Sequence, residues 1–360
     1  MRDEICISVI IPFYNSQDHI DNCLDTLQKQ YFKKTYEIIM IDDGSTDKTV
    51  EKIIKRNNPF IKIFHLKENK GPAAARNLGL KNSSGKYIFF LDADDTISLD
   101  ILTKLYDEVL ENQYDVIFCD KKWIENSQNQ RTNIFLYSEN KILYEDEIKI
   151  EMKKRFLDPV SNVGLFGLTG RLIKRSIIIN NEIFFDEKLR YLEDETFSWR
   201  ILSKIKSVKY LKDQLYHYNV NPNINSALSE GLRKGFPISN FKVARDYIKE
   251  SLANSGFDQK SIENLSNQAF IFFIISALVS FSKSIALGKI EKFTGMEIRN
   301  DFIKKIINDK EILSAAKNYK RSKLESFLIP LAMRLKSRML LKYACTKRAN
   351  QILSLRRKNI

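Results

Sequence analysis

The 360 residues of the chain are enough for about two domains. Hydrophobic residues make up 43% and charged residues 29%, so a mainly disordered chain is excluded. Only 12 glycines and 7 prolines occur, which excludes a collagen-like chain. The four cysteines lie far apart without a CxxC motif, which excludes a disulfide scaffold and favours reduced thiols in a cytoplasmic protein.

The net charge of +14 is unevenly distributed along the chain. Residues 231–360 hold 26 Lys and Arg against 10 Asp and Glu, a net charge of +16, whereas residues 1–230 hold 33 against 35, a net charge of −2. We therefore predict two domains, 1–230 and 231–360, of which the second is strongly basic.

The first 125 residues alternate between apolar, β-branched runs and polar stretches with helical spacing. Strands are predicted over residues 5–11, 36–41, 61–66, 86–91 and 114–119, and helices over residues 17–30, 46–55, 71–80 and 99–112. This alternation predicts an α/β fold with a Rossmann-like, mostly parallel, doubly wound sheet.

The rest of the chain has a weaker pattern and then a helical one. Residues 125–160 show no clear period, order returns over 166–185 and 192–218, and beyond residue 230 the pattern predicts helices only. The longest apolar run, residues 270–281, has 12 residues, too few to span a bilayer, and predicts a buried helix. The N-terminus lacks the pattern of a signal peptide.

Polar residues follow three of the predicted strands. They are Tyr14 and Asn15, then Asp42 and Asp43, then Asp92, Ala93 and Asp94. In a doubly wound sheet, ligands bind beyond the carboxyl ends of the strands, so these residues outline a site.

Asp92 and Asp94 can both face one hard cation, such as Mg²⁺ or Mn²⁺, that substrate phosphates complete. A solvated, Asp-rich turn is the alternative interpretation. The segment 42–47 (DDGSTD) can wrap a nucleoside or simply cap a helix. The small residues of 71–79, with Arg76 among them, let the backbone approach a diphosphate or let the helix pack closely on the sheet.

Four motifs in this order, SVIIPFYN, IDDGSTD, GPAAARN and FLDADD, resemble the family 2 glycosyltransferases of GT-A fold, of the bacterial surface-polysaccharide type. The resemblance covers about residues 5–125 and resumes at 191–197 (YLEDETF), which is similar to the Glu-Asp motif of the family. It implies a GT-A fold and an inverting, metal-dependent transfer of a sugar from a nucleotide-diphosphate donor, expected to be UDP-linked, to a glycan hydroxyl.

The resemblance also implies roles for single residues. The implied nucleotide-binding residues are Pro12, Tyr14, Asp43, Arg76 and Asp92. Among them, Asp43 would contact the uracil edge and Arg76 would lie near the diphosphate.

A divalent cation, Mn²⁺ or Mg²⁺, would be held by Asp94 with Asp92. Asp194 would be the catalytic base with Glu193 beside it, and pairing of the two acids could raise one pKa towards neutrality. His217 stands where the family often has a Tyr-rich strand with a nearby arginine. It is either a structural residue or a further metal ligand. The segment 167–175 resembles the acceptor-side loop of the family.

From Lys320 onward, 12 Lys and Arg face a single acid, with apolar residues between them. This composition favours peripheral binding to the anionic inner face of the cell membrane. Packing on the catalytic domain or formation of a homo-oligomer is the alternative, and no nucleic-acid partner is expected. Arg334, Arg338 and Lys342 are spaced to form one basic stripe on a helix.

The sequence thus predicts a glycosyltransferase that extends a surface polysaccharide or a lipid-linked oligosaccharide. The alternatives are a sugar nucleotidyltransferase and a glycan-binding scaffold of the same fold. The first would need a Gly-rich, basic triphosphate loop that Pro12 to Asn15 do not provide, and the intact acidic residues argue against the second.

Overall fold

The computed structural model of the chain describes residues 4–125, 129–130, 136–156, 163–220, 227–320 and 326–358. The chain divides into two compact units: Met1–Met152 with Ser161–Pro222, and Lys153–Val160 with Asn223–Ile360. The division predicted after residue 230 falls inside the helix Ala227–Lys234, which belongs wholly to the second unit.

The first unit, within the described residues, is built on one sheet of ten strands. They are β1 (Ile7–Phe13), β2 (Tyr36–Asp42), β3 (Ile61–His65), β4 (Tyr87–Phe90), β5 (Thr96–Ile97), β6 (Val116–Glu125), β7 (Asn129–Gln130), β8 (Lys141–Tyr144), β9 (Arg171–Lys174) and β10 (Ser207–Asn219). The strand order is β3-β2-β1-β4-β9-β6-β10-β5, while β7 pairs with β6 and β8 with β10.

Six of these strands, β1, β2, β3, β4, β6 and β10, run in one direction. The predicted α/β fold with a mostly parallel sheet is therefore confirmed. The segment 167–175, predicted as a loop that enters a helix, contributes β9, which runs antiparallel between β4 and β6, and the predicted helix then begins at Arg175. Strand β9 has only four residues and begins with the buried Arg171. Its sequence therefore lacks the alternation of apolar and polar residues that would predict a strand.

Helices connect the strands of this unit. They are α1 (Ile20–Gln28), α2 (Thr49–Lys55), α3 (Pro72–Lys81), α4 (Ile101–Asn112), α5 (Glu145–Lys154), α6 (Val163–Phe166), α7 (Arg175–Asn180) and α8 (Glu193–Leu202). The last two residues of α5, Lys153 and Lys154, belong to the second unit. Strands β1, β2 and β4 are almost wholly buried, as expected of apolar runs covered by helices on both faces.

The second unit is helical, as predicted for the basic C-terminal region. Its helices are α9 (Ala227–Lys234), α10 (Ile238–Asn254), α11 (Gln259–Ala286), α12 (Lys292–Asn308), α13 (Lys310–Lys317), α14 (Leu328–Arg334) and α15 (Arg338–Lys358). Phe236, Phe241, Phe281 and Phe302 form a buried aromatic cluster among the helices of this unit.

Helix α11 contains the apolar run that the sequence predicts as too short to cross a membrane. That length argument is wrong, because the helix extends the run at both ends to 28 residues. By length and composition it is the one described helix that could cross a membrane, with a mean hydropathy of 2.0 over an 18-residue window. However, 61% of that window is buried inside the structure, which agrees with the expected buried helix.

The predicted basic stripe at the C-terminus is not continuous. Helix α14 ends at Arg334 and α15 begins at Arg338, with a left-handed residue, Lys336, between them. Arg334 instead donates hydrogen bonds to the carbonyl oxygens of Ala316 and Tyr319. The prediction that Arg334, Arg338 and Lys342 share one helical face is wrong. Residues 321–325 and 359–360 of this tail lie outside the described residues.

Candidate active site

The site begins where β1 and β4 stop pairing. Along a parallel strand, successive backbone groups bond alternately to the two neighbours. The carbonyl of Ile10 accepts from Leu91 towards β4, and the carbonyl of Phe13 accepts from Asp43 towards β2. The backbone of Pro12, which has no N–H, therefore faces β4. It lies beyond the last hydrogen bond between β1 and β4. The chain reverses its order here, because β2 and β3 lie to one side of β1 and β4 to the other, the position at which such sheets bind ligands.

The loops that follow β1 and β2 are bonded to each other. The backbone N–H of Asn15 donates to the hydroxyl of Ser45 at 3.0 Å, and the N–H of Thr46 donates to Oδ1 of Asn15 at 2.8 Å. Asp47 accepts from the N–H groups of Gln17 and Thr49, so it supports the start of α2 as well. Tyr14, between these anchors, remains 42% exposed on the rim of the site.

Asp43 holds the beginning of α3. Its two carboxylate oxygens accept from the backbone N–H groups of Lys70 and Gly71 at 2.7 and 2.8 Å. Burial raises the pKa of Asp43, and the two backbone donors oppose that rise. Gly44 has φ of +78°, and a Cβ there would lie 3.1 Å from the backbone of Glu68 and Asn69, so this turn requires glycine.

Helix α3 packs its small residues on the sheet. A Cβ at Gly79 would lie 2.4 Å from Cγ2 of Ile10, so a larger residue would push the helix away. Asn77 donates to the carbonyl of Phe185 at 2.9 Å and accepts from the N–H of the same residue at 2.8 Å. Close packing of α3 on the sheet is therefore one role of the small residues of 71–79. This packing also directs Arg76 into the site.

Arg76 connects two parts of the site that are far apart in the sequence. Its guanidinium is 3.0 Å from Oδ1 of Asp92, after β4, and 3.4 Å from Oε1 of Glu193, the first residue of α8. Its Nε is buried, and among the residues that the structure describes it has no hydrogen-bond partner. Burial lowers the pKa of Arg76, but the carboxylates of Asp92, Glu193 and Asp194 outweigh burial and raise it. Arg76 therefore remains a cation at the centre of an acidic cluster.

The chain turns sharply into α8 at Leu192. This bulky residue has φ of +70°, a left-handed conformation that costs on the order of 1–3 kcal/mol and is found mostly at functional sites. Below the turn, the rings of Phe185 and Phe197 stack with centroids 4.1 Å apart, and Phe90 packs edge-on against both. These rings hold the start of α8 in place.

The first two residues of α8 differ in exposure. Glu193 is 7% exposed and paired with Arg76, whereas Asp194 is exposed at the rim. Burial, followed by the charge of Asp194, raises the pKa of Glu193 to about 7, and Arg76 opposes that rise. Desolvation by the surrounding protein, followed by the charge of Glu195, raises the pKa of Asp194. Of these two side chains, Asp194 is therefore the one exposed to solvent.

Three aspartates follow β4. Burial, followed by the charge of Asp92, raises the pKa of Asp94 to about 6. Asp95 is fully buried, accepts from the hydroxyl of Tyr216 at 2.6 Å and accepts from the N–H of Asn219 at 2.8 Å. Asn219 also donates its amide to the carbonyl of Asp94 at 2.7 Å. Strand β10 thereby fixes the loop that presents Asp92 and Asp94.

The residues present fit a divalent cation bound in part by substrate. Asp92 and Asp94 supply carboxylate oxygens, and the raised pKa of Asp94 reflects burial first and then the negative charge of Asp92, which a cation would offset. Within the described ranges, no group of three His, Cys, Asp or Glu could hold a metal alone. A cation that keeps waters and binds phosphates needs only one or two carboxylates.

Among the described residues, no hydrogen bond or ion pair links His217 to this pair. Successive residues of a strand point to opposite faces, and the neighbouring Tyr216 contacts Asp92 and Asp95. Burial and the charge of Lys122 lower the pKa of His217. A structural role in β10 fits this position, and the role of His217 as a further metal ligand stays a prediction.

Several residues of the site have roles that the motifs do not reveal. Asp95 and Tyr216 are recognisable only once β10 is placed beside the loop after β4. Lys121 on β6 lies with Nζ 5.3 Å from the centre of the Tyr216 ring and donates to the hydroxyl of Thr169. The exposed Arg190 approaches Gly71 so closely that a Cβ there would lie 2.8 Å from its guanidinium, and its charge opposes the raised pKa of Asp43.

The structure thus gathers most of the predicted site residues at one edge of the sheet. Direct contacts join Arg76 with Asp92 and Glu193, and electrostatic interactions extend the group to Asp94 and Asp194. The remaining predicted residues, Pro12, Tyr14 and Asp43, lie at the ends of β1 and β2. Their predicted contacts with a nucleotide stay predictions.

The chain is similar in sequence to known glycosyltransferases. The profile described as Glycosyl transferase family 2 matches residues 8–179. The uncharacterised glycosyltransferase EpsJ of Bacillus subtilis is 30% identical over 243 residues, which cover 64% of this chain and 67% of that protein. The poly(ribitol-phosphate) beta-N-acetylglucosaminyltransferase TarS of Staphylococcus aureus is 28% identical over 214 residues, 59% of this chain, and the match spans 35% of the length of TarS.

Solved structures agree in fold. The crystal structure of S. aureus TarS 1–349 in complex with UDP has a TM-score of 0.67 at 20% identity and covers 96% of this chain and 92% of that one. The same fragment in complex with UDP-GlcNAc has a TM-score of 0.66 at 19% identity, with the same coverage. At such identities the likeness concerns the fold, which is the predicted GT-A fold with a helical C-terminal region. The profile match and the match to EpsJ lead to one conclusion: the chain belongs to the family 2 glycosyltransferases.

Proposed function

We propose that the protein is an inverting glycosyltransferase that moves a sugar from a UDP-linked donor to a hydroxyl of a cell-surface polymer. The observation that carries the proposal is the guanidinium of Arg76, which joins the aspartate after β4 to the acidic start of α8. A donor site at the strand ends and a base at the helix start are thereby held as one rigid unit.

In this proposal Asp194 is the catalytic base. The acceptor oxygen attacks the anomeric carbon, Asp194 takes its proton, and the nucleoside diphosphate departs from the opposite face with the bonding electrons. One base and no protein nucleophile give inversion. Glu193 is a positioning residue, since it is buried and paired with Arg76 rather than open to the acceptor.

Asp94 and Asp92 would hold a divalent cation, Mn²⁺ or Mg²⁺, which supplies neutralisation of the diphosphate charge when bound. Arg76 already pairs with Asp92, so its cation adds to the positive charge on this side of the site. Pro12 leaves the edge of β1 free of an N–H, and the exposed Tyr14 offers a ring face to a base. Asp43 is proposed to meet the uracil edge.

The acceptor is proposed to be a bacterial surface or wall polymer, or a lipid-linked oligosaccharide. The name of TarS supports a polyol-phosphate polymer, and its complex with UDP-GlcNAc supports a UDP-sugar donor. Both are properties of a relative that this chain matches only in part.

We further propose that the second unit binds the anionic inner face of the cell membrane, which makes the enzyme a peripheral, cytoplasmic one. Four apolar side chains around α14 and α15 are exposed: Phe327 by 58%, Leu335 by 62%, Met339 by 83% and Tyr343 by 56%. Lysines and arginines alternate with them in the sequence. Exposed apolar residues among cations suit an interface of lipid headgroups and acyl chains. Formation of a homo-oligomer through this surface is the alternative.

The first experiment is nucleotide release from a panel of UDP-sugars with Mn²⁺, with Mg²⁺ and with a chelator. We expect release from one sugar and its loss with the chelator. Asp94→Asn is expected to abolish metal-dependent UDP binding while the protein remains folded. Normal turnover by that variant would contradict the metal assignment.

The same experiment separates the alternatives. A scaffold would bind UDP without turnover in any condition, and Asp194→Ala would leave its behaviour unchanged. A nucleotidyltransferase would consume a nucleoside triphosphate and a sugar phosphate and release pyrophosphate, which is measured in parallel.

A further inference from the structure

The helical unit contains a polar cleft of about 830 Å³. Its walls are the first ten residues of α11, the end of α13 with the residues that follow it, and Lys153. A volume of this size lies within the range of sites that enclose small ligands. None of the family motifs falls in this unit, so the catalytic site does not account for the cleft.

Four carboxamide side chains line the cleft. Ser261, Asn264 and Gln268 are spaced at i, i+3 and i+7, so they line one face of α11 before the helix becomes apolar. Asn267 and Asn318 add two further amides. Side-chain amides both donate and accept, which suits a ligand rich in hydroxyl groups.

Gln268 is the residue that points most directly to a ligand. It is 6% exposed, and its Oε1 is buried without a hydrogen-bond partner anywhere in the part of the chain that the structure describes. A buried acceptor without a donor is rare in native proteins, because its lost hydration is not replaced. A ligand hydroxyl or an ordered water would satisfy it.

The cleft also carries excess positive charge. Lys153, Lys317 and Lys320 line it, and no ion pair of theirs occurs among the described residues. The acidic residue in the lining of the cleft, Glu263, forms an ion pair with Lys249 at 2.9 Å. It also accepts a hydrogen bond from the side-chain amide of Asn267 at 2.8 Å. Three uncompensated cations at one cleft favour an anionic ligand.

We propose that this cleft binds a hydroxyl-rich polyanion, namely a segment of polyol or glycan that carries phosphate or carboxylate groups. A hydroxyl of the segment donates to Gln268, the exposed amides bond neighbouring hydroxyls, and the lysines bind the anionic groups. The acceptor polymer is the source of this segment, a step that rests on the proposed function.

The test is a calorimetric titration of the full-length protein with three oligomers of equal length. They are a ribitol-phosphate octamer, neutral maltooctaose and polyphosphate. We expect the octamer to bind at least about tenfold more tightly than either of the others, because only it offers both hydroxyls and charge. Equal binding of polyphosphate would show non-specific charge attraction, and no binding of any oligomer would show a cleft filled by water; either result overturns the proposal.

Variants locate the binding in the cleft. Gln268→Leu and Lys317→Glu are each expected to weaken octamer binding about tenfold. The matched control is Lys304→Glu, an exposed lysine of the same unit on α12, which is expected to change binding by less than twofold. Asn264→Ala, at an exposed position, replaces Gln268→Leu should the latter fail to fold. Equal losses for Lys317→Glu and Lys304→Glu would overturn the assignment.

Nucleotide release from the donor, measured without acceptor in the same variants, separates this inference from the proposed function. Intact release with unaltered octamer binding in Lys317→Glu contradicts only the cleft. Octamer binding that depends on Lys317 in a protein without donor turnover contradicts the proposed function, and with it the acceptor as the source of the segment, but not ligand binding by the cleft.

Discussion

The two units of the molecule use charged residues in opposite ways. The α/β unit has a net charge near zero over residues 1–230 yet buries ionisable groups, among them Arg76, Asp95 and Glu193. The helical unit has the large positive charge, and most of its lysines and arginines lie on the surface, with Arg299 and Arg155 among the exceptions. Buried, mutually paired charges indicate chemistry at a defined point, whereas surface charge indicates association with a partner.

This difference determines how each unit responds to substitution. In the α/β unit one side chain contacts several others, so a single change alters both catalysis and folding. On the surface of the helical unit each cation acts nearly alone, and binding is a sum of small contributions. Four predictions test this contrast, beginning with the largest effect.

Asp194→Ala is expected to reduce the kcat of sugar transfer by about 10²–10⁴-fold, the contribution of a general base. UDP binding should be unchanged, because the side chain is exposed on the acceptor side in our proposal. Steady-state transfer and a UDP titration measure the two quantities. Glu195→Gln, one residue further along α8, is the control and should retain most of the activity. A loss of less than tenfold in Asp194→Ala would exclude this residue as the base.

Arg76→Ala is expected to lower the free energy of unfolding by about 3–5 kcal/mol, because two carboxylates then lose their buried partner. Urea unfolding measures the change. Lys55→Ala removes an exposed pair with Glu51 and should cost less than about 0.5 kcal/mol. Equal losses of unfolding free energy in the two variants would show that the buried ion pairs of Arg76 stabilise the protein no more than the exposed pair of Lys55.

Glu193→Gln is expected to change the dependence of stability on pH. The pKa of Glu193 is raised to about 7 in the folded protein, above its ordinary value near 4.5. The folded state therefore binds the proton more tightly, so the contribution of Glu193 to stability is full below pH 4.5 and is lost as the pH rises through 7. Urea unfolding between pH 5 and 8 should show the unaltered protein losing on the order of 1–3 kcal/mol relative to the variant. If the difference in unfolding free energy between the unaltered protein and the variant stayed constant from pH 5 to 8, the raised pKa of Glu193 would be contradicted.

Arg338→Glu is expected to weaken binding to vesicles of phosphatidylcholine with phosphatidylglycerol about fivefold or more, since each surface cation contributes about 1 kcal/mol. Sedimentation with the vesicles measures it. Lys304→Glu makes the same charge change on α12, a helix without these exposed apolar residues, and should have a smaller effect. Identical losses would favour general charge attraction over a defined membrane-binding surface.

Much of the site is predictable from residues next to one another in the sequence. The DADD segment after β4 and the DDGSTD segment after β2 combine apolar strands with strand-end acids, and their pattern is local. The pattern does not show what each acid contacts. Asp43 turned out to hold the start of α3 through two backbone hydrogen bonds, and Asp95 to accept from Tyr216, which lies 121 residues away.

The segment after β6 marks the limit of sequence reasoning. Strand β9 has four residues and a buried arginine, so its conformation follows from pairing with β4 and β6 rather than from its own propensity. The basic stripe at the C-terminus failed for a related reason. Spacing predicts a shared face only while one helix continues, and here the helix ends at Arg334.

The fold class, the strand ends that carry acids, the helical nature of the basic region and the family follow from the amino-acid sequence alone. They depend on periodicity and on short motifs, which neighbouring residues encode. Which acid is exposed and which is paired depends instead on the tertiary structure, because Arg76 must reach both Asp92 and Glu193. Such partners are set by packing between distant segments, and burial then shifts the pKa values that local sequence leaves unchanged.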